Sequence, residues 1–563
     1  MLICGVKVSH DGGVAVLDGN RLVFSIEAEK LADGKRYSAL GDLDRIDQIL
    51  RAEGIDPADI DRYVVDGWYP VDGDTSTRIA TAHHGTPVKI PAASYTGDGA
   101  PGGPLHRERF TGPAGSVLHS GYASYAHATH HVYSSYCTSP FAARGEGAYV
   151  LAWDGGMLPR LYRVGADPRD ITYLGPLFPL VGDVFVEFCM SFDPFWRDIS
   201  ELTPDQLTQH HLEVPGKAMA YAALGTVRTD VFPALERLLD ELNTVSVDST
   251  IGQAVAARRE ELFPGMTSAD CIATFQEYVA RMLVDSLTTA LARTGEAGTG
   301  AVGTVGLCLA GGCALNIKWN SALRSSGLFS AIWAPPFPND SGAAIGTACC
   351  EMVAETGNAA LEWDVYSGPR LAPPRLLPGW SAAPCDEREL AALLHREGEP
   401  VVVLEGRAEL GPRALGNRSI MAAATSPAMK KRLNDIKGRA DYRPVAPMCL
   451  ESHAAEVFEP GTTDPYMLFD HRLRPGWAEK IPAVVHLDGS ARLQTIDPAA
   501  RGTRAGAILH EYTKLSGIPV LCNTSANLSG HGLFSGVASA MAWGRTPYVW
   551  SEGTLYTNQR NAS

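Results

Sequence analysis

The sequence predicts an α/β protein, with some segregated α+β character, that folds as two large domains. Short apolar, strand-like runs alternate with segments of helical period along most of the chain. Several of these strands lead into glycine-rich polar loops, as at 305–316 and 400–419. The 563 residues also exceed what a single hydrophobic core usually organises. Two cores, each with strand-end loops, are therefore expected.

Composition narrows the class of protein. Hydrophobic residues make up 45% of the chain and charged residues 20%, as in ordinary soluble globular proteins. The net charge of -15 argues against a general nucleic-acid or membrane binder, although a local basic pocket is compatible with it. The 11 cysteines form no CxxC pair, and no signal-peptide start or membrane-length apolar run is present. We expect reduced thiols in a cytoplasmic protein.

The N-terminus predicts a three-stranded hairpin unit. A first apolar strand reaches a bend at His10-Asp11-Gly12, a second strand reaches an Asp-Gly-Asn turn, and a third follows. Actin-like ATPase folds begin in this way, with the glycine loop close to the nucleotide phosphates. Gly12 is therefore a candidate nucleotide contact. His10 and Asp11 are candidate catalytic groups, although Asp11 is equally compatible with a role that only caps the turn.

A second pattern predicts a metal site. His127 and His131 are spaced i and i+4, so a helix presents both imidazoles on one face. Asp154 ends an apolar run before two glycines, and Asp340 begins a small-residue helix. Two imidazoles and two carboxylates suit a divalent transition metal. The alternatives are a packed histidine cluster, which we favour for His130, and a simple helix cap at Asp340.

Glycine loops supply further candidates. An apolar strand enters Gly311-Gly312 and a helix leaves after Asn316, an arrangement that suits a nucleotide phosphate or ribose. Lys217 follows Pro215-Gly216 and is predicted on a turn, either as a phosphate or carboxylate contact or as a solvated lysine.

The C-terminal part of the chain holds the most distinctive run. A proline-rich segment at 368–386 is predicted to link domain 1–367 to domain 387–563. Beyond it, arginines are concentrated among glycines from 406 to 419, and further basic and amide side chains follow. Arginine forks bind phosphate through two hydrogen bonds, so this part predicts a polyphosphate pocket. Its candidate ligands are Arg413, Asn417, Arg418, Ser419, Lys437, Arg443, His486, Arg492, Asn523, Ser525 and Asn527.

Taken together, these motifs resemble the NodU/CmcH family of O-carbamoyltransferases, and the resemblance covers nearly the whole chain. The supporting runs are HDG, PGKAM, HATHH, WDGG, AGGCALN, NDSGAAIG, GRAELGPRALGNRS, YRPVAP, PAVVHLDGSARLQT and NTSAN. GPRALGNRS and HLDGSARLQT are the most specific of them. The chain departs from the family pattern at NTSAN, where NTSFN is usual, and at the loop that contains Lys217.

The resemblance implies a fold and a reaction. It implies an N-terminal actin-like (ASKHA), duplicated domain that transfers the carbamoyl group and a C-terminal YrdC-like domain that forms carbamoyladenylate. The YrdC-like domain would join carbamoyl phosphate and ATP, with Mg²⁺, and release phosphate and pyrophosphate. The intermediate would pass internally to the actin-like domain, where a divalent metal, Fe²⁺ in first place, assists transfer to an acceptor hydroxyl.

Within that frame the residues receive roles. The C-terminal cations would neutralise both anionic substrates, and Asn523 and Ser525 would hold the carbamoyl or ribose end. His10 is the candidate base for the acceptor hydroxyl. The acceptor is expected to be a small secondary metabolite such as an antibiotic precursor, with no nucleic-acid or membrane partner, and the chain to be a monomer or homodimer. The rival functions are an actin-like ATPase or small-molecule kinase, a non-catalytic nucleotide sensor and a tRNA threonylcarbamoyl-type enzyme.

Overall fold

The computed structural model describes residues 1–69, 77–293, 305–500 and 502–559, and the chain divides into two compact units. The first unit contains Met1–Ser25 and Tyr37–Trp363, and the second contains Ile26–Arg36 and Asp364–Ser563. Both combine sheets with helices, which confirms the α/β class. Within the described ranges, no helix has the length and apolar character needed to cross a membrane.

The predicted domain bounds differ from this division in two places. The segment Ile26–Arg36 was assigned to the first domain, but it belongs to the second unit, where buried Lys30 donates to the carbonyls of Glu409 and Gly411. The predicted linker 368–386 is also part of the second unit, because its residues Trp380–Pro384 form a strand of that unit's main sheet. Its many prolines had indicated irregular structure.

The first unit contains two main sheets and the helices that pack on them. Its strands are β1 (Leu2–Lys7), β2 (Gly13–Asp18), β3 (Arg21–Glu27, whose last two residues fall in the second unit), β4 (Arg62–Asp66), β5 (Arg78–His83), β6 (Thr86–Pro91), β7 (Glu108–Phe110), β8 (Tyr122–Tyr125), β9 (Ala148–Ala152), β10 (Arg160–Val164), β11 (Ile171–Pro176), β12 (Gly306–Ala310) and β13 (Ile332–Trp333). Its helices are α1 (Asp44–Ala52), α2 (His127–Cys137), α3 (Pro140–Ala143), α4 (Asp183–Met190), α5 (Pro204–Tyr221), α6 (Phe232–Asn243), α7 (Thr250–Ala257), α8 (Arg259–Leu262), α9 (Ser268–Arg293), α10 (Ile317–Ser325) and α11 (Ala343–Thr356).

The two main sheets share one strand plan. The first has the order β3-β2-β1-β4-β8-β7 and the second the order β11-β10-β9-β12-β13. In each, the central strand pairs antiparallel with the next strand of the chain and parallel with a later one: β1 with β2 and β4, and β9 with β10 and β12. The predicted N-terminal hairpin is thereby confirmed. The shared plan is what a duplicated domain requires, and the actin-like assignment stays a prediction.

Helices α2 and α11 pack on each other between these sheets, α11 on β1, β2 and β4 and α2 on β9 and β12. Glycines allow the close approach. A Cβ on Gly346 of α11 would lie 2.3 Å from the His130 carbonyl oxygen of α2, and one on Gly5 of β1 would lie 2.0 Å from the Ala344 oxygen. All residues of α2 are buried. The histidines at its start therefore face protein, and the site they form is enclosed.

Two helices of this unit show how local sequence sets helix position. Ile46, Ile49 and Leu50 form the buried face of α1, and α9 is capped by Thr267, whose hydroxyl accepts from the Asp270 amide. Lys217 was predicted on a glycine turn, but it lies inside α5, because the Thr203–Gln206 capping box starts a helix that continues through Pro215 and Gly216.

The second unit has an eight-stranded sheet of order β14-β24-β23-β15-β16-β22-β17-β21 and a small sheet β18-β19-β20. Its strands are β14 (Trp380–Pro384), β15 (Val401–Leu404), β16 (Arg418–Ala423), β17 (Ala446–Leu450), β18 (Phe458–Glu459), β19 (His471–Leu473), β20 (Ser490–Ala491), β21 (Gln494–Ile496), β22 (Val520–Ser525), β23 (Tyr548–Ser551) and β24 (Thr554–Asn558). Its helices are α12 (Glu387–Arg396), α13 (Pro427–Lys437), α14 (Glu451–Val457), α15 (Ala505–Ser516) and α16 (Val537–Trp543).

Both faces of this large sheet are covered. Val401 and Val403 of β15 pack with α12 and α15, whereas Val402 and Leu404 pack with α13, α14 and α16. A strand buried on both faces is apolar at every position, which explains the unbroken run in β15. The polar side chains of this unit therefore lie at strand ends and loops.

Candidate functional site

The site in the first unit forms where strand ends meet helix starts. β1 ends with Lys7 and β4 with Asp66, while α2 begins with His127. Asp154 follows β9, and Asp340 lies just before α11. Because α2 and α11 pack together, the chain brings these groups into one buried cluster. The four predicted metal ligands are thus adjacent.

The ligand atoms converge on a common point. Nε2 of His127 lies 3.3 Å from Asp340 Oδ1, and Nε2 of His131 lies 3.4 Å from the same oxygen. Asp154 Oδ2 is 3.9 Å from both of these nitrogens. His127, His130, His131 and Asp340 each offer a potential ligand atom, and these four atoms lie within 4.8 Å of one another. The alternative of a simple Asp340 helix cap does not fit these contacts.

The cluster fits a divalent cation. Nε2 of both histidines and Oδ1 of Asp340 are buried and lack a hydrogen-bond partner among the described residues. Burial disfavours the charged imidazole of His127, but the Asp340 and Asp66 carboxylates outweigh it and raise the pKa of His127 to about 10. A protonated His127 would neutralise part of the negative charge of these carboxylates. A metal cation bound by the two Nε2 atoms would neutralise the same charge.

Asp66 and Lys7 form the layer behind the ligands, and sequence reasoning missed both. The carboxylate of Asp66 accepts from Nδ1 of His127 and from Nδ1 of His130, both over 2.8 Å. His130 thereby has a partner outside the ligand set, and burial lowers its pKa to about 3 despite that carboxylate. Lys7 pairs with Asp66 at 2.9 Å and with Asp340 at 2.8 Å. A lysine inside an apolar strand and an aspartate at a strand end were the available signals.

Asp154 is held by two further contacts. Its Oδ1 accepts from the Gly312 amide over 2.6 Å, and its Oδ2 accepts from the Tyr95 hydroxyl over 3.0 Å. The Tyr95 ring also stacks on His127, with the ring centroids 4.5 Å apart. Hydrogen bonds within the protein thus orient the carboxylate. Tyr95 had not been predicted.

His10 lies at the edge of this cluster. Its Nδ1 is 3.0 Å from Asp11 Oδ2, and its Nε2 is 3.7 Å from Asp340 Oδ2. Burial opposes charge on this imidazole, but the contact with Asp11 and the Asp340 carboxylate raise the pKa of His10. Asp11 adopts a left-handed conformation, with φ of 53°, and orients the ring from one side. The arrangement is an Asp–His pair with Nε2 directed at the ligand cluster.

The predicted nucleotide-binding amides of this unit are engaged elsewhere. The Gly12 amide donates to the Ser38 carbonyl, Gly311 donates to Pro338, and Gly312 donates to Asp154. Asn316 caps α10 by accepting from the amides of residues 318 and 319. These contacts assign structural roles to all four residues, so the predicted phosphate contacts are not supported.

Lys217 also does not make the predicted phosphate or carboxylate contact of a site residue. Its ammonium group pairs with Glu213 at 2.6 Å, one turn earlier on α5, and its side chain is 38% exposed. No contact with the His–Asp cluster is found for it among the described residues. The alternative of a solvated lysine describes it better.

In the second unit, two predicted phosphate ligands prove to be structural. Arg418 is 1% exposed, and its guanidinium donates to the backbone carbonyls of Pro369, Glu405, Gly406 and Asn417. Lys437 donates to the backbone oxygens of Ser525 and Asn527 and to the Asn527 side chain. Both cations already have several acceptors. They hold loops in place, and a phosphate is not needed to explain them.

The amide side chains next to these cations are similarly engaged. Asn417 donates to the carbonyls of Arg407 and Gly502, and Asn523 donates to Ala414 and to Gln494. The Ser525 hydroxyl donates to Asn527. The oxygens of Asn417, Asn523 and Ser419 are buried and without a hydrogen-bond partner in the described ranges. These three oxygens are the polar atoms of this network still available to a ligand.

Three arginines do form a cationic cluster. Burial and the charges of Arg443 and Arg439 lower the pKa of Arg492 to about 10. Burial and the charge of Arg443 lower the pKa of Arg439 to about 9. Like charges in a buried place cost folding free energy unless an anion compensates them. Arg443 and Arg492 therefore remain candidate anion ligands, Arg439 is added to them, and His486 and Arg413 lie in loops of the same unit.

Comparison with known proteins agrees with this division. A model of the carbamoyltransferase N-terminus matches residues 2–95 and 114–349, and a model of the carbamoyltransferase C-terminus matches residues 391–547. Nodulation protein U of Rhizobium tropici is 45% identical over 100% of this chain and 97% of its own length. Its counterpart in Sinorhizobium fredii is 44% identical over 99% of both chains. A 3'-hydroxymethylcephem-O-carbamoyltransferase of Streptomyces clavuligerus is 32% identical over 95% of this chain and 94% of its own.

Proposed function

We propose that this chain, which belongs to the carbamoyltransferase family and is a carbamoyltransferase, works in two stages. In the second unit, carbamoyl phosphate, ATP and one water would form carbamoyladenylate with release of phosphate and pyrophosphate. In the first unit, the carbamoyl group would pass from the adenylate to an acceptor hydroxyl, and AMP would leave. The family match in both halves accounts for the arginine-rich part, which a plain ATPase or kinase leaves unexplained.

One observation supports the transfer stage above all others. His127, His131, Asp154 and Asp340 converge with their metal-binding atoms directed inward, and His10 Nε2 lies 3.7 Å from the same cluster. A divalent transition metal bound there would polarise the carbamoyl donor and stabilise negative charge as it develops. The protein's own groups would orient the donor and exclude water around it, since all four ligands lie in or beside buried segments.

His10 would take the proton of the acceptor hydroxyl. Asp11 holds Nδ1, so Nε2 is the nitrogen that would act as base, and the imidazolium formed would be stabilised by that carboxylate. Proton removal by a positioned base contributes about 10²–10⁴-fold to rate. The hydroxyl oxygen forms a bond to the carbamoyl carbon as the bond from that carbon to the phosphate oxygen breaks.

The adenylation stage would use the arginine cluster of the second unit. Arg439, Arg443 and Arg492 repel one another, which favours binding of a polyanion such as ATP with Mg²⁺ or carbamoyl phosphate. The buried oxygens of Asn417 and Asn523 could accept hydrogen bonds from a carbamoyl NH₂ group. Neutralising both anions would lower the cost of bringing them together.

The acceptor is proposed to be a hydroxylated small molecule. Antibiotic precursors were the expectation from sequence, and one relative is named for carbamoylation of a hydroxymethylcephem. The 45% identity to a Nodulation protein U exceeds the 32% identity to that enzyme, so the acceptor panel should reach beyond cephems.

The two stages are tested by two variants. The full chain is incubated with ATP and carbamoyl phosphate, pyrophosphate release is measured, and carbamoyl transfer is followed by mass shift over a panel of hydroxylated acceptors. We expect His131→Ala to release pyrophosphate but not to transfer, and Arg492→Gln to transfer only from supplied carbamoyladenylate. Loss of both steps in both variants, with the fold intact, would contradict the division of labour.

A further inference from the structure

Lys7 is a buried charge that the proposed reaction does not use. It ends β1, is 1% exposed, and lies between the carboxylates of Asp66 and Asp340 at 2.9 and 2.8 Å. Its ammonium group also lies 3.9 Å from the centre of the Trp68 ring. Contacts on three sides hold this side chain in place. Burial of a lysine costs free energy, and the two carboxylates offset that cost here.

The two oxygens of Asp340 face different partners. Oδ1 lies 3.3 and 3.4 Å from the Nε2 atoms of His127 and His131, whereas Oδ2 lies 2.8 Å from the Lys7 ammonium. The two oxygens of Asp154 also face different groups. Its Oδ1 accepts from the Gly312 amide, and its Oδ2 lies near the two imidazoles. Each carboxylate therefore presents one oxygen to the ligand cluster.

We propose that Lys7 is a positioning residue that restricts Asp340 to coordination through one oxygen and so keeps a coordination position open for the reacting molecule. The proposal rests on the metal site of the proposed function. A carboxylate can bind a cation through one oxygen or through both. Without the ammonium group, Oδ2 of Asp340 could turn to the cation and occupy a second position. With it, a cation would be held by two nitrogens and two carboxylate oxygens, and a six-coordinate ion would retain two positions for exogenous oxygens.

A neutral residue would not serve as well. The ammonium group binds Oδ2 through charge, and Asp66 on its other side keeps Lys7 from shifting toward the ligand cluster. Asp66 also fixes Nδ1 of His127, so the pair of Lys7 and Asp66 orients both a nitrogen and an oxygen ligand. Replacing the lysine alone leaves two carboxylates uncompensated, so the double variant Lys7→Met/Asp66→Asn is needed beside Lys7→Met.

The test uses the full chain loaded with Co²⁺, whose visible absorption reports coordination number, with azide as the exogenous ligand. In the wild type, we expect azide to change the Co²⁺ spectrum. In Lys7→Met we expect Co²⁺ to stay bound but the azide dissociation constant to rise at least ten-fold. The double variant is compared with the single variant Asp66→Asn, so that the two proteins differ only at Lys7. If Lys7→Met does not fold, this comparison should show the same rise in the azide dissociation constant.

The matched control is Lys30→Met in the second unit. Lys30 is equally buried and ion-paired, with Glu27 at 2.7 Å, but it has no part in the ligand cluster. Its loss should leave the azide titration unchanged, even where thermal stability falls. The proposal is overturned if the azide dissociation constant of Lys7→Met stays within two-fold of the wild-type value. It is also overturned if the constant of the double variant stays within two-fold of the Asp66→Asn value. If the wild type does not bind Co²⁺, the proposed metal site is contradicted, and the proposed transfer stage is contradicted with it.

Discussion

Asp66 Oδ2 accepts a hydrogen bond from Nδ1 of His127 over 2.8 Å, with both side chains at most 1% exposed. The contact orients the imidazole ring, so Nε2 of His127 is directed at Asp340 and Asp154. Metal-binding histidines commonly depend on such a partner for both orientation and basicity. Asp66 is therefore as much a part of the site as the four ligands.

Replacing Asp66 should weaken metal binding without removing a ligand. We expect Asp66→Ala to lower affinity for Co²⁺ or Fe²⁺ by about 10–100-fold, the usual effect of losing a partner of a ligating histidine. Competition with a chelating dye measures it. An affinity equal to that of the wild type would mean that the imidazole keeps its orientation through packing alone.

Metal should bind the buried cluster and not the exposed one. Asp44, His83 and His84 also lie close together, but both imidazoles are paired with the Asp44 carboxylate and His84 is 72% exposed. We expect His131→Ala to abolish tight metal binding and carbamoyl transfer, and His84→Ala to leave both unchanged. The metal content of the purified proteins checks this. The assignment would be reversed if His131→Ala kept its metal and His84→Ala lost it.

Arg418 and Arg492 should respond differently to replacement by methionine. The guanidinium of Arg418 donates to the backbone carbonyls around it, and its removal leaves those carbonyls without a donor. We therefore expect the free energy of unfolding of the second unit to fall by about 3 kcal/mol. Arg492→Met relieves repulsion and should not lower stability, but it should reduce pyrophosphate release at least 100-fold. Thermal unfolding and a pyrophosphate assay separate the two. Full activity of Arg492→Met would place the anions elsewhere.

Asp183 should make stability depend on pH in mildly acidic solution. Burial, together with the charges of Asp154 and Glu187, raises the pKa of Asp183 to about 6, although His211 opposes the rise. The folded state then holds the proton more tightly than the unfolded state, so the free energy of unfolding falls as pH rises from about 4 to 6. The carboxyl is 28% exposed, so the loss is expected to be roughly 1–2 kcal/mol.

Asp183→Asn should flatten this dependence. Melting temperatures of the metal-free wild type and variant, measured between pH 4 and 7, provide the comparison. His211, whose pKa is raised by Glu187 and Asp183 against the effect of burial, contributes a slope of the same sign above its ordinary pKa of 6.5, and the part due to Glu187 should remain in the variant. Identical pH profiles for the two proteins would show that Asp183 does not bind the proton in this range.

Lys217→Ala should have little effect. Its pair with Glu213 is a partly exposed i,i+4 contact on α5, and such pairs are worth about 0.3–0.5 kcal/mol. We expect turnover within two-fold of the wild type and a melting temperature nearly unchanged. A large loss of turnover would restore the role that the sequence motif suggested.

Much of this architecture was predictable from local pattern. The N-terminal hairpin, α1, α9 and the buried strand β15 follow from spacing of apolar residues, and i,i+4 spacing placed His127 and His131 on one helix face. The four metal-ligand candidates lie close together in the structure. Each lies at a strand end or a helix start, and such positions can be recognised from local sequence. The same reasoning failed at Lys217, where a capping box 14 residues earlier outweighed the Pro-Gly pair.

Other properties arise only from contacts between distant segments. Lys7 and Asp66 are separated by 59 residues, and Asp66 and His127 by 61, so no local pattern relates them. The fold class and the family could be predicted from sequence, because both depend on residue order and composition. Which cations already have backbone acceptors, as Arg418 does, and which oxygen of each carboxylate faces the cluster could be learned only from the folded chain, because both depend on what burial brings within hydrogen-bonding distance.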